Sequence, residues 1–222
     1  MIEPVNVGGN INDAKIIFIG EKHNVDWIYD VEFEKWKQYY VNERLRHLFM
    51  EMPYYFAQTF NLWMKSDVSD ISIMGSMNND QNAYKFYKKI KSECPETIFH
   101  GNDVGHDYKY INERSLNYYM ENVFKNIEQY NIILEIIEQG RNYYENYSEE
   151  EEKEEYRENM MVRNFIREFD NLENKKVIGI YGGAHTNYNR NFGNFKYPCM
   201  AKQLYEYYGN IIYFENYWEH EN

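Results

Sequence analysis

The chain has 222 residues, 43% of them hydrophobic, which is enough for one substantial core with a helical insertion and too little for two full domains. Acidic residues outnumber basic ones 36 to 24, and a formal charge of −12 with no local basic face repels a phosphate backbone, so nucleic acid is not an expected partner. No apolar run of about 18 residues is present to span a bilayer, and the N-terminus lacks the basic-then-apolar pattern of a signal peptide, so the expectation is a cytoplasmic protein with no membrane role. Cys94 and Cys199 have neither metal-ligand spacing nor a disulfide framework and read as packed thiols of a reducing compartment. The 24 tyrosines, without interleaved Arg and Lys, read as amphipathic packing rather than a base-stacking surface.

In chain order, five short apolar runs ended by a polar residue or Gly predict buried strands: Lys15–Ile19, Leu45–Met50, Thr97–His100, Lys176–Tyr181 and Asn210–Phe214. The stretches between them are long enough for helices. Strands alternating with helices predict an α/β fold, a mainly parallel central sheet flanked by helices, in a single domain over residues 1–222. Asn78–Cys94 predicts one helix. The Asp107–Leu172 connection is too long for a single crossover and predicts a helical insertion of at least two helices before the fourth strand. Its first half places Leu116, Met120, Val123, Ile127, Tyr130, Leu134 and Ile137 on one seam, with Gly140 as a helix stop. Its second half opens with Ser148 and Glu151 in capping-box spacing, and the run Glu149 to Glu152 reads as a solvated helix start rather than a metal or partner site.

Ligands of open α/β sheets bind beyond the carboxyl ends of the strands. There the first strand runs into Gly20-Glu21-Lys22-His23, the second into Glu51-Met52-Pro53, the third into Gly101-Asn102-Asp103-Val104-Gly105-His106 and the fourth into Gly182-Gly183-Ala184-His185. Taken singly, Glu21 or Asp103 reads equally well as a helix cap, and a lone His is more often structural. Four strands delivering acids or imidazoles to one edge favour a site. Gly20, Gly182 and Gly183 permit close backbone approach beneath a ligand. Neither phosphate-binding glycine loop nor a G-x-S-x-G elbow is present, so a hydrolase built here needs an activated water. His106 lies at the rim as a further ligand-contacting candidate. His47 and His220 read as structural or solvent-facing, and His100 as the end of a strand.

Ile16 through His23 resembles the G-E-x-H opening of the erythromycin esterase-like and ChaN-like proteins, a superfamily that also holds Tiki-like metalloproteases. Glu51 after a strand, Gly101 to Val104, Arg157 to Asn164, Gly182 to His185, and the tail from Tyr197 to Gly209 come in that superfamily's order, so the resemblance spans nearly the whole chain. It implies hydrolysis of an ester or related bond in a small molecule. His23 would activate water, with Glu21, Glu51, Asp103 and His185 nearby and Arg157 orienting an acid or stabilising oxyanion charge. Arg157, Met161 and Asn164 recur at helical spacing, which places Asn164 beside the substrate; the bland alternative for Arg157 is a surface ion pair. Two other readings stay open. One is a divalent metal held by His23, Glu51 and His185; the other is haem or another ligand bound through His23 or His106.

Overall fold

The structure is a computed structural model that describes residues 2–23, 25–67, 81–110, 127–173, 176–189 and 196–218. Six strands form one sheet: β1 (Asn6–Gly8), β2 (Ile16–Glu21), β3 (His47–Pro53), β4 (Ile98–Asp103), β5 (Val177–Gly182) and β6 (Ile212–Asn216). Their spatial order is β1-β6-β2-β5-β3-β4, all parallel except β1, which pairs antiparallel with β6 at the edge. Seven α-helices lie among the described residues: α1 (Asp26–Asn42), α2 (Tyr54–Lys65), α3 (Gln81–Glu93), α4 (Ile127–Glu145), α5 (Glu150–Asp170), α6 (Gly183–Thr186) and α7 (Met200–Tyr208). None of them is long and apolar enough to cross a membrane.

The strands read as continuous apolar runs because both of their faces are covered. Side chains alternate across the sheet. Ile17, Ile19, Leu48, Met50, Ile178 and Ile180 point into a core with Ile28, Phe33 and Trp36 of α1, Phe60 and Trp63 of α2, and Phe86 and Ile90 of α3. Ile16, Phe18, Phe49, Val177, Ile212 and Phe214 point the other way, against Met161, Phe165 and Phe169 of α5 and Met200, Ala201 and Leu204 of α7. Each fully buried side chain of this size contributes about 1.5–3 kcal/mol, so the two layers clamp the central strands from both sides. A smaller cluster of Tyr54, Tyr55, Ile133 and Ile136 seats α4 on α2.

The five predicted strands are present, and the helical insertion falls between β4 and β5 as expected, but several local expectations are corrected. Strand β1 is too short, with Val7 its only β-branched residue, to leave a periodic signal. Strands β2 to β5 run past their predicted ends, so Glu21, Glu51, Asp103 and Gly182 belong to the ladder rather than to loops. The α4 seam is rotated. Its buried residues are Ile133, Ile136, Gln139, Gly140 and Tyr143, whereas Ile127 and Leu134 are exposed, and Leu116, Met120 and Val123 lie outside the described residues. Gly140 is no stop, because α4 continues beyond it to Glu145. A Cβ at Gly140 would stand 1.9 Å from the Gly105 carbonyl oxygen, so the glycine lets α4 press onto the loop after β4. No capping box forms at Ser148: α5 starts at Glu150 with Glu149 as its cap and no side-chain cap bond, and the acids Glu150, Glu151 and Glu152 in the first turn meet the helix dipole directly.

Candidate functional site

Strands β2, β5, β3 and β4 are consecutive neighbours, with Glu21 in register with Gly182 and Pro53 with Asp103. Their carboxyl ends therefore share one edge, and the residues at those ends meet. A register shift in β3 between Met50 and Pro53 breaks the pleat at Glu51. Such an irregularity re-aims a side chain, and the Glu51 carboxylate lies at the centre of the group.

Glu51 is held from three sides. Its Oε1 accepts a hydrogen bond of 2.7 Å from the Arg157 guanidinium and lies 3.4 Å from His185 Nε2, and its Oε2 accepts the Gly182 N–H at 2.7 Å. Arg157, from the second turn of α5, also donates to both oxygens of Asp103, at 3.0 and 2.7 Å. The planar guanidinium thus bridges the ends of β3 and β4, a geometry that a lysine could not reproduce. His185 sits in α6, directly after β5. Its Nδ1 is bonded to Glu158, whose other oxygen accepts the Met200 N–H at the start of α7. His23 Nδ1 lies 2.9 Å from Glu21 Oε1, and His23 Nε2 lies 3.7 Å from Glu51 Oε2.

Exposure divides the group. Side chains of Asp103, His185 and Glu158 are almost fully buried, those of Glu21, Glu51 and Arg157 nearly so, but His23 is 55% exposed. The arrangement is a buried ion network with one imidazole facing outward. Burial pushes the Asp103 carboxyl up, yet the Arg157 charge and the bonds from His106 and Arg157 overcome it and hold Asp103 well below the usual range. Glu51 is likewise held low, burial being outweighed by His185, His23 and Arg157. Burial opposes charge on His185, but Glu158 and Glu51 raise it from 6.5 to about 10. The hydrogen bond of His23 to Glu21, and then the Glu51 carboxylate 3.7 Å away, raise it to about 10 against burial, and water around its exposed ring screens those pairs.

Six expected site residues, Glu21, His23, Glu51, Asp103, Arg157 and His185, are thus linked into one network, and Gly182 lies directly under it. A Cβ at Gly182 would meet His23 Nε2 at 2.9 Å and Glu51 Oε2 at 3.2 Å. The other expected ligand contacts fall elsewhere. Gly20 and Gly183 make room for Thr186, Asn216 and Trp218, which is packing behind the edge. Asn164 is fully buried, and its amide is engaged with the Asn102 carbonyl, Gln139 and Arg167. It shares the α5 face of Arg157 but lies two turns deeper, where spacing alone could not tell depth. His106 is at the rim, with Nε2 3.0 Å from Asp103 and Nδ1 2.8 Å from the Tyr144 hydroxyl. Both of its nitrogens are engaged, which leaves none for haem.

Glu158 is the site residue that sequence reasoning missed. Glu154, Glu158, Met161, Phe165 and Phe169 form one buried stripe of α5. An acid inside an apolar stripe is a signal, since a buried carboxylate needs a partner. His47 and His100 form a separate structural chain with Glu168 on the flank of β3 and β4, bonded at 2.9 and 3.2 Å. His220 lies outside the described residues. Cys94 and Cys199 are buried, and burial pushes their thiols up to about 11 and about 12, so neither supplies a thiolate.

A divalent metal does not fit the set His23, Glu51 and His185 as arranged. The Arg157 cation already occupies Glu51 Oε1, and among the described residues no group of three or more acid, His or Cys side chains is disposed to hold a metal ion. Charge compensation at the carboxylates comes from the guanidinium.

The mainly parallel sheet with helices packed over both faces shares the fold of an erythromycin esterase. A mutant of the erythromycin esterase EreC in its open conformation superposes with a TM-score of 0.64 at 11% identity, over 90% of this chain and 69% of that one. A Bacillus cereus protein from structural genomics gives 0.66 at 14% identity, over 89% of this chain and 64% of that one. A succinoglycan biosynthesis protein gives 0.64 at 12% identity, over 91% and 65%. The chain thus spans about two thirds of the length of each of these structures. At such identities the likeness is one of fold. No known family model matches the chain, and no curated protein matches it in sequence.

Proposed function

We propose that this network hydrolyses an ester or related acyl bond in a small molecule, with water as nucleophile and His23 as general base. The observation that supports this reading most is the outward-facing imidazole of His23, 55% exposed, beside carboxylates, a guanidinium and a second imidazole that are nearly buried. Glu21 accepts from Nδ1–H and so fixes the tautomer, leaving Nε2 as the basic atom. Nε2 takes a proton from water as the water oxygen bonds to the acyl carbon. The tetrahedral intermediate then collapses, and the departing alkoxide leaves with the proton that His23 holds. Positive charge on His185 and Arg157, just beneath, favours the negative charge that develops on the acyl oxygen.

One solved structure of this fold is an erythromycin esterase, and this chain spans only 69% of its length. Our reading therefore takes the bond type and leaves erythromycin aside. A panel of chromogenic esters tests it, comparing wild type with His23→Ala. Loss of a general base lowers the rate roughly 10²–10⁴-fold. Hydrolysis that survives His23→Ala with normal kinetics overturns the assignment.

A further inference from the structure

Near Glu21 lies a carboxyl that the reaction above does not use. Glu32 projects from the second turn of α1 and is 1% exposed. Its Oε1 and the Oε2 of Glu21 are both buried with no hydrogen-bond partner among the described residues. The two orphaned atoms belong to neighbouring side chains, for Glu32 and Glu21 lie close enough for their carboxyls to interact. Two ionised carboxylates offer only acceptors to one another, and at such closeness in a dry space they cannot both carry charge. The neighbouring cations are engaged elsewhere: His23 bonds the other oxygen of Glu21 at 2.9 Å, and Lys35, one turn further along α1, is paired with Glu215 at 2.7 Å. A single proton shared by the two carboxyls supplies the donor that a pair of acceptors lacks.

Resting on the reading of His23 as the base, we propose that Glu32 is a positioning residue: a neutral carboxylic acid whose O–H is donated to Glu21 and locks that carboxylate onto His23 Nδ1. Burial first, then the Glu21 charge and their mutual hydrogen bond, hold Glu32 well above the usual carboxylate range, which agrees with this protonation. The proton stays on Glu32 through the cycle. Its work is to satisfy Glu21, so that the carboxylate does not turn away to find another donor and Nε2 stays the atom through which His23 exchanges its proton.

Two kinds of variant separate this role from simple packing. Glu32→Gln keeps a neutral donor of the same shape, whereas Glu32→Met fills the space and donates nothing. Infrared difference spectra at neutral pH should show a protonated-carboxyl carbonyl band in wild type that Glu32→Gln removes. The hydrogen-bonded His23 N–H resonance in proton NMR should persist in Glu32→Gln and vanish in Glu32→Met. On an ester found by the panel, Glu32→Gln should keep kcat, while Glu32→Met loses roughly 10–100-fold in kcat with KM unchanged. Absence of the acid band in wild type, its survival in Glu32→Gln, or an intact His23 resonance in Glu32→Met would overturn the proposal. The spectroscopic results need no substrate, so failure of the hydrolytic reading and failure of the Glu32 assignment are told apart.

Discussion

Replacing Arg157 with Met removes the one guanidinium that joins β3 to β4 at the site. Glu51 and Asp103, 12% and 3% exposed, lose three charge-assisted hydrogen bonds of 2.7 to 3.0 Å and have no second arginine to turn to among their described contacts. Breaking a buried ion pair from one side costs about 3–5 kcal/mol, because the partner charge stays desolvated. For a chain of this size that is roughly 2–4 °C of Tm per kcal/mol, a fall of roughly 6–20 °C at neutral pH. The loss has a pH signature. Asp103, held below its usual 3.8 in the wild-type fold, adds stability that is fully present above 3.8 and is lost as pH falls through its lower folded value. The variant lacks that contribution, so the gap between the two proteins is widest near neutrality and narrows on acidification. Thermal melts at stepwise pH values measure it. A neutral-pH fall below about 2 °C, or a gap that does not narrow toward acid, refutes the reasoning.

The glycines at the two close approaches give opposite expectations. Gly140→Ala normally gains about 1 kcal/mol of helix propensity. Here its Cβ would sit 1.9 Å from the Gly105 carbonyl oxygen, a backbone atom that cannot swing aside, and overpacking of that kind costs about 1–3 kcal/mol or more. Denaturant unfolding should therefore show a lower midpoint, and an unchanged or higher one would deny that α4 packs this tightly. Gly182→Ala meets side-chain atoms instead, His23 Nε2 at 2.9 Å and Glu51 Oε2 at 3.2 Å. Melting should scarcely change while ester hydrolysis falls roughly 100-fold, since the base is displaced; full activity would place the chemistry away from this edge.

The strand ends are legible in the sequence because a parallel strand buried on both faces is a plain apolar run, and the polar residues just beyond it stand out. That is how Glu21, Glu51, Asp103 and His185 can be gathered on one edge from the sequence alone. The ordered motifs extend the same reading to the fold and to Arg157. The illegible part depends on rotation and depth. Spacing puts Arg157 and Asn164 on one face of α5 but cannot say that Asn164 lies deep against Asn102 and Gln139. The α4 seam reads one step round the helix because Ile132, Ile133, Ile136 and Ile137 give two almost equal stripes, and only contact with Tyr54 and Tyr55 chooses between them. Gly140 reads as a stop since a glycine that ends a helix and one that admits a neighbouring backbone look alike in sequence. Glu158 and Glu32 look like ordinary helix acids; both are buried, and their meaning lies in His185 and Glu21, which belong to other elements.

The pH–rate profile of ester hydrolysis, measured for wild type and Glu21→Gln, bears most directly on the central claim that His23 acts as a base poised by Glu21. A base held up toward about 10 by Glu21 first and Glu51 second is mostly protonated at neutral pH, so the wild-type rate should climb through the alkaline range. Removing the Glu21 charge should carry the midpoint back toward the ordinary histidine value of 6.5 and lower the plateau rate as the ring loses its orientation. A profile with the same midpoint in both proteins would contradict the account.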